Sequence, residues 1–320
     1  MAVTSLYDLA ILNRADQYTG LIEDVTTMPA EWGTFSAHAR AGTWYENVKR
    51  IAYPTAQFRR VNEGVTPSKS VYKKEVKEMF FVDTSLNMDE AVWDADPASV
   101  GALWQLEAQG AMNAAAILIG QQTWYGTSAD QYGFTGARSQ IAYSVAAGGT
   151  TNSTTAYLVW MDPQQGCRYD VGNNGSFTIT PPVRQQIADP NQSGKNLMAY
   201  VGNLKAWVGF NVGSNLSVFA VTGITTTLNQ WLSDSYASQL LAQIPVARRN
   251  NLRWFINRTA QSTLQRARST VNIGIVASTP NASYQAAGAD GRPAFSPLPD
   301  QLAGYPITLT DSLLDTETNS

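Results

Sequence analysis

A chain of 320 residues is long enough for one large domain or two ordinary ones. Hydrophobic residues make up 44% of it and charged residues only 15%, which indicates a folded protein with fewer charges than usual. The net charge of -3 argues against a dedicated nucleic-acid binder, although a local basic patch stays open. The chain has one cysteine, Cys167, and one histidine, His38, which together exclude an intrachain disulfide and most metal sites built on these residue types.

The first 42 residues show one short helical pattern, at Leu6, Leu9 and Ala10, and otherwise no clear period. We predict an N-terminal arm with one short helix, which can bury little of itself. The segment has neither a basic start nor a long apolar run. We therefore expect no signal peptide and no membrane insertion, and we expect the protein in a reducing cytosol.

Residues 43 to 88 contain two strand-like runs, 48–53 and 71–77, separated by the turn residues Gly64 and Pro67. The pattern predicts a long hairpin whose two sides are both largely polar. Such a hairpin is unstable alone in water, so we expect it to lie on another surface, with a second subunit as the natural candidate. The side chains predicted to make these contacts are basic: Arg59, Arg60, Lys69, Lys73, Lys74 and Lys77.

The clearest helix is predicted over residues 97 to 122, with Asp96 as its cap and Pro97 at its first position. Its apolar residues recur with a period of 3.6, and its length would be about 39 Å at 1.5 Å per residue.

Four glycines follow in the stretch LIGQQTWYGTSADQYGFTGA: Gly120, Gly126, Gly133 and Gly136. They match no nucleotide-binding pattern, and they come after a helix, whereas a phosphate cradle precedes one. We expect a structural turn, in which Tyr125, Tyr132 and Phe134 hold the corner against the core.

The second half of the chain changes character. Residues 140 to 225 predict short strands between Gly, Asn and Pro turns, and residues 226 to 242 predict a helix. A strand leading into a helix follows from residue 246, and a last strand lies near the C-terminus. Strands and helices fall in separate blocks without regular alternation, which predicts the α+β class.

The sequence offers few candidate catalytic residues. A Ser-His-Asp or Cys-His site would need His38, which lies in the predicted arm, and no base can be assigned to Cys167 beside Arg168. We expect no catalytic residues, no metal and no cofactor. An acidic group with Trp93 nearby could ligate a cation or bind sugar, although the charge preference of a helix start explains it more simply. That group is Asp83, Asp89, Glu90, Asp94 and Asp96.

A second basic cluster, interleaved with Trp254 and Phe255, runs from residue 248 to residue 268. A nucleic-acid surface and ordinary salt bridging within or between subunits are both open for it. The residues expected to face DNA or an interface are Arg248, Arg249 and Arg253.

Four segments, taken in order, resemble one family: LIGQQTWYGTSADQYGFTGA, YVGNLKAWVGFNV, RWFINRTAQSTLQRAR and GYPITLTDSLLDTE. Their order, after an arm and a polar hairpin, resembles the major capsid proteins of tailed bacteriophages with the Hong Kong 97-type fold, and in particular podovirus-like members. The likeness spans essentially the whole chain and rests on the ordered set, because each segment alone is weakly specific.

The resemblance implies a shell subunit and not an enzyme. The parts it implies are an N-terminal arm (1–42), an extended hairpin called the E-loop (43–88), a peripheral domain (89–139) with its spine helix (97–122), a mainly axial domain (140–290) and a closing strand of the peripheral domain (291–320).

The resemblance also implies partners. Copies of the chain would form hexamers and pentamers of an icosahedral shell around double-stranded DNA, assembled in the bacterial cytoplasm and present in the virion, without a membrane. Because the chain starts at the arm, a separate scaffolding protein is expected, with a portal protein and a decoration protein as further partners. Some family members crosslink a hairpin lysine to a neighbour's asparagine, but the partners of Lys69, Lys73 and Lys74 cannot be matched here.

Two alternatives stay open at this point. A cytosolic nanocompartment subunit of the encapsulin type would have the same fold but no portal or genome. A carbohydrate-active, β-rich protein would use the acidic and aromatic residues and act as a monomer.

Overall fold

The computed structural model describes residues 27, 29–95, 97–175, 177–189, 194–278 and 298–318. The predicted helical pattern around Leu6 and the predicted cap Asp96 lie outside these residues.

Helices and strands occur in the described chain in the mixture that the sequence predicts. The helices are α1 (Glu31–Thr34), α2 (Glu90–Ala95), α3 (Pro97–Tyr125), α4 (Asp234–Gln243) and α5 (Arg258–Ser278). The strands are β1 (Ala37–Ala39), β2 (Trp44–Ala52), β3 (Val71–Glu78), β4 (Phe80–Asp89), β5 (Tyr143–Ala146), β6 (Thr154–Trp160), β7 (Cys167–Val171), β8 (Thr178–Ile179), β9 (Val183–Ala188), β10 (Asn196–Val212), β11 (Val218–Ile224), β12 (Leu252–Ile256), β13 (Gln301–Leu302) and β14 (Tyr305–Leu309).

The first sheet is built around β10, which is 17 residues long. Its strand order is β1-β7-β10-β4, and β8 and β9 also pair with β10. Strand β4 runs antiparallel to β10 from the pair Phe80 and Val208 to the pair Asp89 and Ala199. This ladder joins the hairpin to the body, because β4 continues directly from the hairpin strand β3 after one residue.

The second sheet has the order β13-β14-β12-β6-β11-β5. All residues of β6 are buried, as expected for a strand covered on both faces. Helices α4 and α5 bury Leu240 and Leu264 in a cluster with Trp254 and Phe219 of this sheet.

Helix α3 lies against the first sheet. Its apolar period buries Leu103, Ala108 and Ala111 against residues of β4, as the 3.6-residue spacing predicts. The helix ends at Tyr125, three residues later than expected, and is about 44 Å long at 1.5 Å per residue. It continues because its last turn carries Trp124 into the core.

One aromatic cluster joins α3 to both sheets. Trp124 stacks on Tyr157 of β6, with ring centroids 4.7 Å apart, and lies 5.2 Å from Phe255 of β12. Phe35, which follows α1, stacks on Phe255 and meets Tyr169 of β7 edge to face. The two sheets and the long helix therefore share a core.

The first sheet takes strands from both sides of residue 140. Within 140–290, β7 to β10 belong to the first sheet, beside α3, whereas β5, β6, β11 and β12 belong to the second. The predicted closing strand, β14, pairs with β12 in the second sheet and not with the sheet beside α3. Block order along a sequence does not specify sheet membership when the chain crosses between sheets.

Two expectations about the bounds of single elements are wrong. The helix expected at 226–242 is limited to α4, where Ser233 caps the N-terminus by accepting a bond from the Tyr236 amide. Residues 80 to 89, for which the sequence analysis predicts no strand, form β4, in which half-buried and exposed side chains alternate from Phe80 to Ser85.

Candidate assembly interface

The root of the hairpin formed by β2 and β3 is built into the body. Tyr45 and Met79 are buried, and the Met79 amide donates to the Thr43 carbonyl at 2.8 Å. A Cβ added to Gly209 of β10 would lie 3.0 Å from Met79 and 3.3 Å from Tyr45, so glycine permits this close approach. Burial raises the pKa of the Tyr45 phenol, and Asp170 adds to the effect.

The far end of the hairpin has almost no cover in the subunit. Every residue from 51 to 69 is exposed. Among them are large apolar side chains, with Phe58 at 108% and Val61 at 90% exposure, together with Tyr53 and Val65. We call residues 53–70 the tip. Exposed apolar groups concentrated on a projecting segment are typical of a surface that another chain covers.

The six basic residues predicted as hairpin contacts have different environments. Three have partners within the hairpin: Lys73 with Glu75 at 3.3 Å, Lys74 with Glu46 at 2.5 Å, and Arg59 with the Glu63 carbonyl at 2.8 Å. A hydrogen bond from Lys49 lowers the pKa of Glu75, which keeps this network charged. Arg60 and Lys69 are exposed on the tip, and Lys77 lines a cavity at the root.

Behind the hairpin, the glycine-rich stretch forms a closed loop at the end of α3. The Gly136 amide donates to the Gly126 carbonyl at 2.9 Å, and Gln122 donates to the Phe134 carbonyl at 2.8 Å. A Cβ on Gly126 would overlap the Phe134 carbonyl oxygen, and one on Gly136 would lie 2.6 Å from the Gln122 carbonyl. The loop closes only without side chains at these positions. We call residues 120–137 the joint.

Two predictions about the joint need correction. Gly120 lies within α3 and not in a turn, because the helix continues to Tyr125; a Cβ there would approach Pro29 to 3.0 Å. Phe134 is buried and Tyr125 packs against the core, but Tyr132 is 92% exposed and therefore does not hold the corner against the core. Aromatic character alone did not distinguish the inward from the outward side chains.

A buried carboxylate ties α1 to the joint, and the sequence analysis missed it. Glu31 has no solvent exposure, and one of its oxygens accepts bonds from the Trp124 indole and the Thr310 hydroxyl. The other oxygen accepts from the Ser312 hydroxyl at 3.1 Å. A glutamate in a short helix carries no sequence signal of such a role, since its partners lie about 90 and 280 residues away.

A second buried carboxylate, Glu317, fixes the C-terminal segment. It accepts from Tyr125 and from Thr155, both at 2.6 Å, and pairs with Arg138 at 3.2 Å. Burial raises the pKa of the Tyr125 phenol, and the neighbouring Glu317 raises it further. The end of α3, β6 and the C-terminal segment are thus held together.

The basic cluster from residue 248 makes contacts inside the subunit. Its three named members lie as follows: Arg248 over the Trp160 ring at 3.9 Å, Arg249 on the Ile244 carbonyl at 3.1 Å, and Arg253 on the Thr308 hydroxyl at 3.1 Å. These three residues lie on a loop and on β12, and each side chain contacts a residue of its own subunit.

The described acidic residues of the group before α3 make contacts within the fold. Three accept bonds from other residues: Asp83 from Asn203, Asp89 from the Ala91 amide, and Glu90 from Arg184. Trp93 stacks on Tyr200 with centroids 4.3 Å apart. These contacts attach β4 and α2 to β10 and β9, so the residues have structural roles.

The described residues hold neither a cluster of metal ligands nor a reactive thiol. No group of three or more potential ligands in the described ranges could hold a metal ion. Cys167 is buried, and burial raises the pKa of its thiol, which makes it unreactive. No helix in the part of the chain that the structure describes is long and apolar enough to span a membrane.

The subunit combines a long helix across one sheet, a core shared by two sheets and a projecting hairpin with an uncovered tip. These are features of a shell-forming protein. A family model described as major capsid protein GP7 matches residues 31–319. The chain belongs to this family of phage major capsid proteins. It is a structural subunit of the virion capsid, which self-assembles into the shell, and not an enzyme.

Solved structures agree on the fold. The chain is similar to a chain in a structure of bacteriophage Epsilon15, with a TM-score of 0.66 and 17% identity over 99% of this chain and 97% of that one. It is also similar to the capsid of bacteriophage JBD30, with a TM-score of 0.50 and 10% identity over 97% and 99% of the two chains. The comparison with curated proteins found no match. The predicted Hong Kong 97-type fold is confirmed, and the nanocompartment and carbohydrate alternatives are not favoured.

Proposed function

We propose that the subunit forms hexamers and pentamers of an icosahedral shell, in which the hairpin acts as the E-loop and its tip lies over a neighbouring subunit. The observation that carries this proposal is the exposure of Phe58 and Val61 on a segment that has little cover in the described part of the subunit. Burying one large apolar side chain is worth about 1.5–3 kcal/mol, so a few such contacts per subunit, repeated by symmetry, would stabilise a shell.

Five of the six basic hairpin residues divide into two groups in this proposal, and the sixth, Lys77, lines the cavity at the root. Lys73, Lys74 and Arg59 stiffen the hairpin through their partners within it. Arg60 and Lys69, which are exposed on the tip, would meet acidic groups of the neighbour. Charged contacts at the rim of an interface contribute more to the rate and specificity of association than to its affinity.

The domain assignment is proposed in a revised form. Helix α3 and the first sheet would form the peripheral domain, and the second sheet with α4 and α5 the axial domain. The support is sheet membership, which places β7 to β10 beside α3. Residues 1–42 would serve as the arm.

The remaining partners follow from the family resemblance. We propose double-stranded DNA as the packaged content, a scaffolding protein and a portal protein as assembly partners, a decoration protein as a candidate, and the bacterial cytoplasm as the place of assembly. Arg248, Arg249 and Arg253 would reach DNA or a neighbour only in addition to the contacts they make inside the subunit.

The experiment compares two double variants of the tip by electron microscopy of expressed material, with and without a coexpressed scaffolding protein. Arg60→Glu with Lys69→Glu should reduce shell formation strongly while the subunit stays folded by circular dichroism. Arg60→Lys with Lys69→Arg preserves both charges and should assemble like the wild type. Wild-type material that never forms capsomers or shells would contradict the proposed function, and full assembly of the reversed variant would contradict the role of these two residues.

A further inference from the structure

One face of β2 is fastened to the body by a regular series of hydrogen bonds. Tyr45, Asn47 and Lys49 alternate along the strand and therefore point to the same side. Each donates to the end of β10 or to the loop after it. The acceptors, in the same order, are the Phe210 carbonyl at 3.1 Å, the Asn211 side chain at 2.7 Å and the Asn215 side chain at 2.7 Å.

The middle bond of this series continues into the interior. Asn211 is fully buried, and its amide nitrogen donates back to Asn47 at 3.3 Å and to Asp170 at 2.9 Å. Asp170, also without exposure, lies 2.9 Å from the Arg40 Nε and 3.5 Å from the Arg168 Nε. A continuous polar path thus runs from the hairpin to a buried carboxylate and back to the segment that enters β2.

Such a path favours one orientation of the hairpin relative to the body. Inside a protein, a hydrogen bond is electrostatically stronger than in water, and a buried amide that loses its partner keeps the full cost of its desolvation. If the hairpin rotated away from β10, the Asn211 oxygen would lose the Asn47 amide that it accepts from. The strand is therefore fixed at the angle at which Asn47 reaches Asn211.

The root also borders open space. A cavity of about 180 Å³ lies between β3 and the loop at the end of α3, and Tyr45 and Phe210 of the bonded edge also line it. Val76 and Lys77 line it from the hairpin, and Thr127 and Asp130 line it from the loop. The hairpin thus has a bonded edge along β2 and free space beside β3.

We propose that Asn47, Lys49 and Asn211 are positioning residues that form a polar lock, which sets the direction in which the hairpin leaves the body. Opening the lock lets the hairpin rotate at its root, toward or away from the cavity. The lock acts within one subunit, so it fixes the hairpin before a neighbour is met.

The test measures the hairpin angle in the unassembled full-length subunit by electron paramagnetic resonance. Spin labels are placed at Val71→Cys, at the far end of β3, and at Val246→Cys on the body; both side chains are exposed, whereas Cys167 is buried and unlabelled. The label on β3 lies about 23 Å from the root at ~3.3 Å per residue, so a rotation of ~10° moves it by ~4 Å.

The lock variant is Asn47→Ala with Lys49→Met. The matched control is Lys74→Met, which removes a lysine and its ion pair with Glu46 inside the same hairpin but leaves the bonds to β10 intact. We expect the distance distribution to broaden or shift in the lock variant and to match the wild type in the control.

An unchanged distribution in the lock variant would overturn the proposal, and so would equal broadening in Lys74→Met, which would indicate a general loosening of the hairpin. If the double variant does not fold, Asn215→Ala removes the outer bond from an exposed position and must still shift or broaden the distribution. Because the measurement needs no assembly, its outcome is independent of whether the tip contacts a neighbour.

Discussion

The joint and the tip use the same kinds of side chains in opposite ways. At the joint, Trp124 has no exposure, stacks on Tyr157 and donates to the buried Glu31. On the tip, Phe58 is fully exposed and has no packing partner described in the subunit. The joint completes the fold of one subunit, whereas the tip is a surface whose burial requires a second subunit. Substitutions at the joint should therefore lower the stability of the subunit, whereas substitutions on the tip should reduce its assembly.

The largest effect on stability is expected at Trp124→Ala. The change opens a cavity in the cluster shared by both sheets and removes a donor from Glu31, so the free energy of unfolding should fall by about 3–5 kcal/mol. Trp44→Ala, at a tryptophan that is 53% exposed at the start of β2, serves as the control and should change it by less than about 1 kcal/mol. Urea denaturation of unassembled subunits measures both. Equal losses in the two variants would remove the distinction between joint and hairpin.

Smaller changes in stability, opposite in sign, are expected from alanine substitutions at two glycines. Gly126→Ala forces a methyl group against the Phe134 carbonyl of the joint and should destabilise by about 1–3 kcal/mol. Gly110→Ala lies on an exposed position of α3 with no atom within 4 Å of the added carbon, and should stabilise by up to about 1 kcal/mol. Thermal unfolding compares them directly. If both variants unfold at the same temperature, the joint tolerates side chains and its closed geometry is not required.

Periodic elements were predictable from the sequence. Helix α3 follows from its 3.6-residue spacing, since burial of one face imposes this pattern. The hairpin was predictable because two strand-like runs flank turn residues. Strand β4 was missed because Asp83 and Asp89, which lie on it, were interpreted as part of an acidic turn before α3.

Contacts between distant parts were not predictable. Glu31 has partners on α3 and beyond β14, and no local pattern marks a glutamate as buried. The same holds for the Asn47 and Asn211 pair, which joins residues 164 positions apart. On the hairpin, the sequence predicts basic residues as the contacts to a neighbour. In the structure, Lys73 and Lys74 have partners within the hairpin, whereas Phe58 is exposed. Whether a side chain is exposed depends on the tertiary fold and does not follow from its residue type alone.

The smallest effect on the subunit, and the most direct test of the comparison, is expected from Phe58→Ser with Val61→Ser. Both side chains are exposed on the tip, so the free energy of unfolding of the subunit should stay within about 0.5 kcal/mol of the wild type. Shell assembly should be lost, because the apolar contact with the neighbour is removed. Tyr132→Ser, at an exposed aromatic of the joint, is the matched control for losing surface apolarity.

The deciding measurement is the yield of closed shells of the tip variant, determined by sedimentation and electron microscopy beside its unfolding curve. We predict a wild-type unfolding curve with few or no shells. A wild-type yield of shells from a normally folded tip variant would contradict the claim that the tip is the part of the subunit completed by its neighbour.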